Sequence, residues 1–203
     1  WVRKRLDDQD VSMPLDLVPQ STIIVPDTTF WGRSYGVSVF RSWTLKRNIW
    51  WTEVERETQA VYFYGRKILE EKGWKFVAAV IDGRRGLATV FKDILVQVCH
   101  FHQMKTVTRY LTRRPETKAG GELRAIMLAL PRSSEEEFSK LLSDWYVKWG
   151  GFINEKTYVV GSRHWYYTHR KVRGAYRSLE ANLPYLFTYQ KYPELNIPNT
   201  TNT

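Results

Sequence analysis

The chain has 203 residues, of which 43% are apolar and 26% charged; this is enough to bury one core, or one core with an appended subdomain, and it excludes a disordered chain. A formal charge of +10 and a pI near 9.7 favour a polyanionic partner, the alternative being a generally basic protein with no such partner. A single cysteine, Cys99, excludes an internal disulfide, and no apolar run approaches the ~20 residues of a membrane span.

The first residue is Trp1, not Met, so the chain reads as an excerpt. Its opening Trp1-Val2-Arg3-Lys4-Arg5 lacks the apolar stretch of a signal peptide, and a cytoplasmic, nucleoid-associated location is expected. Residues 1–20 carry charge and then Pro14 and Pro19, and are predicted to be a linker. Three strands follow, over 22–27, 35–43 and 48–54, joined by short turns that suggest an antiparallel meander. The period then changes. Val61, Tyr64, Ile68 and Leu69 make the stripe of a helix over 57–72, stopped by Gly73.

Phe76-Val77-Ala78-Ala79-Val80-Ile81 is a continuous apolar strand, a pattern that predicts burial on both faces. A short helix over 87–93, a strand over 95–101 and a helix over 102–113 complete a strand–helix alternation. That order predicts an α/β fold, a mixed sheet covered by helices. The crossover rule places the strand ending at Asp82 parallel to an earlier one, with the first strand as its natural neighbour. Residues 115–185 are predicted to be a helical insertion. Leu123, Ile126, Met127 and Leu130 form one stripe there. Phe138, Leu141, Leu142, Trp145 and Trp149 form another, begun by a capping box from Ser134 to Glu137 and stopped by Gly150-Gly151. A last helix carries Val172, Tyr176, Leu179 and Leu183 up to Pro184, and residues 186–203 form a tail that is loop-like from Pro193 onward.

The chemistry concentrates at two aspartates. Thr22-Ile23-Ile24-Val25-Pro26-Asp27 and Phe76 to Asp82 both end in a carboxylate, a hard oxygen ligand for a divalent cation. Each alone is also an ordinary turn residue or helix cap. Together, in a basic chain, they suit a two-metal site, in which cations about 4 Å apart act on the attacking and leaving oxygens of a phosphodiester. Mg2+ or Mn2+ is the expected cofactor.

Arg84 and Arg85 follow the second aspartate and could hold a DNA strand or simply pair with neighbouring acids. Lys105, Arg109 and Arg113 lie near one face of the 102–113 helix and could track phosphates. Cys99 and His102 cannot form a structural zinc site, because no second cysteine exists. A strand-interior cysteine is usually inert, and His102 suits a polar contact to backbone, substrate or bound water. Trp165 and Arg173 are further candidates for DNA contact. The Trp165 ring could stack on a base or seal the insertion against the core.

These segments, taken together, resemble the mutator-type transposases of bacterial insertion sequences, members of the DDE superfamily with an RNase H-like core. The resemblance is carried by Ile24-Val25-Pro26-Asp27-Thr28-Thr29-Phe30, Val80-Ile81-Asp82-Gly83-Arg84-Arg85-Gly86-Leu87 and Val96-Gln97-Val98-Cys99-His100-Phe101-His102-Gln103. It extends to Tyr166-Tyr167-Thr168-His169-Arg170, Arg173-Gly174-Ala175-Tyr176-Arg177-Ser178-Leu179 and Ile197-Pro198-Asn199-Thr200-Thr201-Asn202. It implies a catalytic core over 21–114, with Asp27 and Asp82 as the first two acids and metal ligands. The implied activity is hydrolysis and strand transfer on double-stranded DNA at transposon ends and target, by a protein that is a homodimer at full length. The third acid is a glutamate expected beyond Thr203, so this chain alone is expected to be at most weakly active. A non-catalytic nucleic-acid-binding remnant and another RNase H-like nuclease are the competing expectations.

Overall fold

The computed structural model describes residues 17–201, so residues 1–16 of the expected linker lie outside it. Strands β1 (Ser21–Phe30), β2 (Gly36–Ser42), β3 (Arg47–Val54), β4 (Lys75–Ile81) and β5 (Leu95–Val98) form one mixed sheet in the order β3-β2-β1-β4-β5. The chain divides into two compact units. One runs up to Ala79 and includes Gly86–Leu95; the other comprises Val80–Arg85 and Val96–Thr203.

In the first unit β1 pairs antiparallel with β2, from Ile24 opposite Ser42 to Phe30 opposite Gly36. Its other edge pairs parallel with β4, from Ser21 opposite Lys75 to Ile24 opposite Ala79. The parallel neighbour expected from the crossover rule is therefore present. β1 is longer than expected. It continues past Asp27 because its ladder with β2 runs on for three residues after that position, while its ladder with β4 stops at Ile24. In β4, Lys75 and Val77 are exposed, so two-sided burial begins only at Ala78.

Helix α1 (Gln59–Glu71) buries Tyr62, Gly65 and Leu69. This face is rotated from the predicted stripe, and Tyr64 is exposed. Gly65 explains the offset: a Cβ there would lie 2.5 Å from the Trp50 ring, so the bare backbone is what meets β3. Arg66 fastens α1 to the segment after α2 (Leu87–Val90). Its Nη1 donates to Asp93 Oδ1 at 2.6 Å and to the Val90 carbonyl at 2.7 Å.

The second unit is helical for most of its length. It contains α3 (His100–Leu111), α4 (Lys118–Ala129), α5 (Glu135–Asn154), α6 (Arg170–Leu186) and the short α7 (Thr188–Lys191). Val107, Leu123, Phe138, Trp145, Ala175 and Leu179 are buried in it, and the Trp145 indole donates to the Ala119 carbonyl at 3.0 Å. The capping box forms as predicted, Glu137 N donating to Ser134 Oγ and Ser134 N to the Glu137 carboxylate.

Several further boundaries differ from expectation. β5 ends at Val98 and α3 begins at His100, because Cys99 takes an extended backbone and serves as N-cap. Gly150 and Gly151 do not stop α5, which runs on to bury Ile153; two glycines cost the helix about 1 kcal/mol each, a cost of the same order as burial of that side chain returns. α6 passes through Pro184 to Leu186. Residues 156–167, expected as part of a helical insertion, form a hairpin of β6 (Lys156–Tyr158) and β7 (Trp165–Tyr167). Among the described residues, no helix is long and apolar enough to cross a membrane.

Candidate functional site

Asp27 belongs to the first unit. It is half-buried within β1, opposite Val39, and its Oδ1 accepts the amide of Thr28 at 2.9 Å. The hydroxyl of Thr28 is fixed in turn. Tyr62 donates to Glu57 Oε1 at 2.6 Å, and the Tyr62 and Thr28 hydroxyls lie 2.9 Å apart. Tyr62 of α1 thus anchors the residue that follows the carboxylate.

Asp82 belongs to the second unit and follows directly on β4. Its Oδ1 accepts the Arg84 amide at 2.8 Å, an Asx turn that folds the chain back and leaves Arg84 and Arg85 exposed. Gly83 makes the turn possible with φ of +72°. Asn182 of α6 secures it, its Nδ2 donating to the Gly83 carbonyl at 3.1 Å and to Gln103 Oε1 at 2.7 Å. Gln103 Nε2 donates to Ser178 Oγ at 3.1 Å, which completes a partly buried polar relay between α3 and α6.

Cys99 sits beside this turn, its amide donating to the Ile81 carbonyl at 2.8 Å. The tail then returns to cover it. Asn199 O accepts the His100 amide at 2.8 Å, and the Thr201 amide donates to Cys99 Sγ at 3.3 Å. The Thr201 hydroxyl lies 3.5 Å from Cys99 Sγ and 3.4 Å from His102 Nδ1. Burial pushes the Cys99 thiol up, but hydrogen bonds to His102 and Thr201 outweigh it and bring the thiol down to about 7. Cys99 is nevertheless fully buried, so it cannot meet a substrate as a nucleophile. The group organises the start of α3 and the tail.

Asp82, Cys99 and His102 therefore come together in one unit, joined by Gln103 and Thr201, which lie in the segments that carry the resemblance without an expected role, and by Asn182, which lies in none of them. Only their distant partners reveal these three. Lys105 and Arg109 are exposed on α3, as expected, but Arg113 lies beyond its end, where Thr112 takes a φ of +63°. Trp165 and Arg173 belong to the hairpin region. Trp165 is 44% exposed and packs on its own hairpin, so it does not act as a buried seal.

Two carboxylates with a hard-oxygen character suit a divalent cation. Among the described residues, no group of three or more His, Cys, Asp and Glu side chains is placed to hold one. No protein-family model matches the chain, and no curated protein matches it.

Proposed function

We propose that this chain is the catalytic core of a DNA transposase with an RNase H-like fold, in which Asp27 and Asp82 hold Mg2+ or Mn2+ for phosphodiester hydrolysis and strand transfer. The observation that carries this reading is the parallel ladder of β1 with β4. Ile24 faces Ala79, and an aspartate follows each of these residues by three positions. The strand order β3-β2-β1-β4-β5 is compatible with an RNase H-like sheet.

Bound cations would supply activation of the attacking oxygen and charge stabilisation at the leaving oxygen. The chain's own contribution is positional. The Asx turn and Asn182 hold the Asp82 carboxylate, while Arg84, Arg85, Lys105 and Arg109 offer exposed charge to a DNA backbone. A dimer acting on transposon ends and target is part of the same proposal.

Labelled duplex oligonucleotides incubated with the protein in Mg2+ or Mn2+ test the reading. Slow, cation-dependent nicking is expected. Asp27→Asn and Asp82→Asn should each reduce it by more than the roughly 10–100-fold that loss of an outer-shell partner costs. A second reading is a non-catalytic DNA-binding protein, which the charge of +10 and the exposed Arg84, Arg85, Lys105 and Arg109 would serve equally well. It is the reading to adopt if the protein binds duplex DNA and nicks none of it with either cation.

A further inference from the structure

The β6–β7 hairpin is too short to stabilise itself by backbone pairing alone, yet it exposes large aromatic side chains. Lys156 pairs with Tyr167, Thr157 with Tyr166, and Tyr158 with Trp165. Because side chains alternate across a strand, one face of the ribbon carries Lys156, Tyr158, Trp165 and Tyr167, and the other carries Thr157 and Tyr166. Tyr158 is 67% exposed, Trp165 44% and Tyr166 41%.

Each ring of β7 is accompanied by a cation. Lys156 Nζ lies 3.8 Å from the centre of the Trp165 ring, the Arg173 guanidinium 3.8 Å from Tyr167, and the Arg170 guanidinium 4.9 Å from Tyr166. Residues 156–173 contain five Lys and Arg and no Asp or Glu, while Glu155, just before β6, is engaged with His169 at 3.0 Å, so the charge around the rings is predominantly positive. A cleft of about 460 Å3 opens where β7 runs into α6. Tyr110, Thr112, Thr168, Arg170 and Lys171 are among its walls, with Glu116 its one carboxylate.

We infer that this hairpin and the cleft at its foot bind unpaired, single-stranded nucleic acid, the exposed rings stacking on bases while the flanking cations neutralise phosphates. The two chemistries are interleaved residue by residue, as a strand of alternating base and phosphate requires. In a duplex the base faces are already stacked, so the rings have nothing to meet. Stacking on an aromatic ring is open to every base, so binding should tolerate sequence. The inference does not rest on cleavage chemistry.

The test is fluorescence anisotropy of a labelled oligo-dT of about 16 nucleotides with the whole chain, in EDTA and at about 0.15 M salt. The single strand should bind at least ~10-fold more tightly than a duplex of the same length. Tyr158→Ala with Trp165→Ala should weaken oligo-dT binding at least ~10-fold, and Tyr158→Phe should not, because it keeps the ring. Arg170→Ala with Lys171→Ala should flatten the salt dependence. Both pairs are exposed, and unchanged thermal unfolding shows that the variants are folded. Equal affinity for duplex and single strand would overturn the inference, as would full binding by the Tyr158→Ala, Trp165→Ala variant. So would capture of the protein by phosphatidylserine vesicles with no binding of oligo-dT. With cations removed by EDTA, failure here leaves the proposed cleavage standing, and failure of cleavage leaves the hairpin standing.

Discussion

Gly83 stands between Asp82 and the two exposed arginines at φ of +72°, a conformation that other residues rarely adopt. A Cβ there would also lie 2.8 Å from Asn182 Nδ2 and 2.8 Å from Val98 Cγ1. Gly83→Ala should therefore lower stability by roughly 1–3 kcal/mol in urea unfolding; an unchanged midpoint would mean that the turn relaxes without cost. His100 offers a pH-dependent test. Its Nε2 donates to the Leu186 carbonyl at 2.7 Å, while its buried Nδ1 has no hydrogen-bond partner among the described residues. Burial pushes its imidazole down, and the bond to Leu186 only partly opposes this. The unfolded chain takes up that proton near the ordinary value of about 6.5, before the folded chain does. Stability is therefore fullest above that pH and falls as the solution is acidified towards the folded value. The Tm should drop between about pH 7.5 and about pH 5.5, and drop less in His100→Gln. An equal drop in both proteins would remove His100 from the account.

Elements were legible where local chemistry decides them and obscure where packing does. The Ser134 capping box and the apolar run of β4 could be read directly, because both signals lie within a few residues. The face of α1 could not. Its orientation depends on Gly65 meeting Trp50 and Phe40, rings brought in by the tertiary fold. Gly65→Ala improves helix propensity by about 1 kcal/mol, but its Cβ would sit under 3 Å from two buried rings. Overpacking of that kind costs ~1–3 kcal/mol, so net destabilisation is expected in thermal unfolding; a stabilised variant would contradict the close approach. The β6–β7 hairpin was hidden for a related reason. Its strands are three residues each, below the length at which alternation is visible, and Gly161-Ser162 was the one turn signal.

At the scale of the whole molecule, the α/β class, the mixed sheet and the parallel β1–β4 pair follow from the alternation of periods along the chain. The carboxylates could be named from sequence, because a strand that delivers an aspartate is a local pattern. Their support could not. Asn182 reaches Gly83 from 99 residues away, and Thr201 reaches Cys99 from 102. A charge of +10 suits the nucleic-acid partner proposed above, and the exposed aromatic hairpin is the basis for proposing its single-stranded form.

Mn2+ binding followed by electron paramagnetic resonance in wild type, Asp27→Asn, Asp82→Asn and the double variant tests most directly whether the two aspartates serve one cation site. Each single substitution should weaken binding by ~10-fold or more, and the double variant should be little worse than the weaker single, because partners in one site are not additive. Independent, additive losses, or binding that neither substitution changes, would contradict the account.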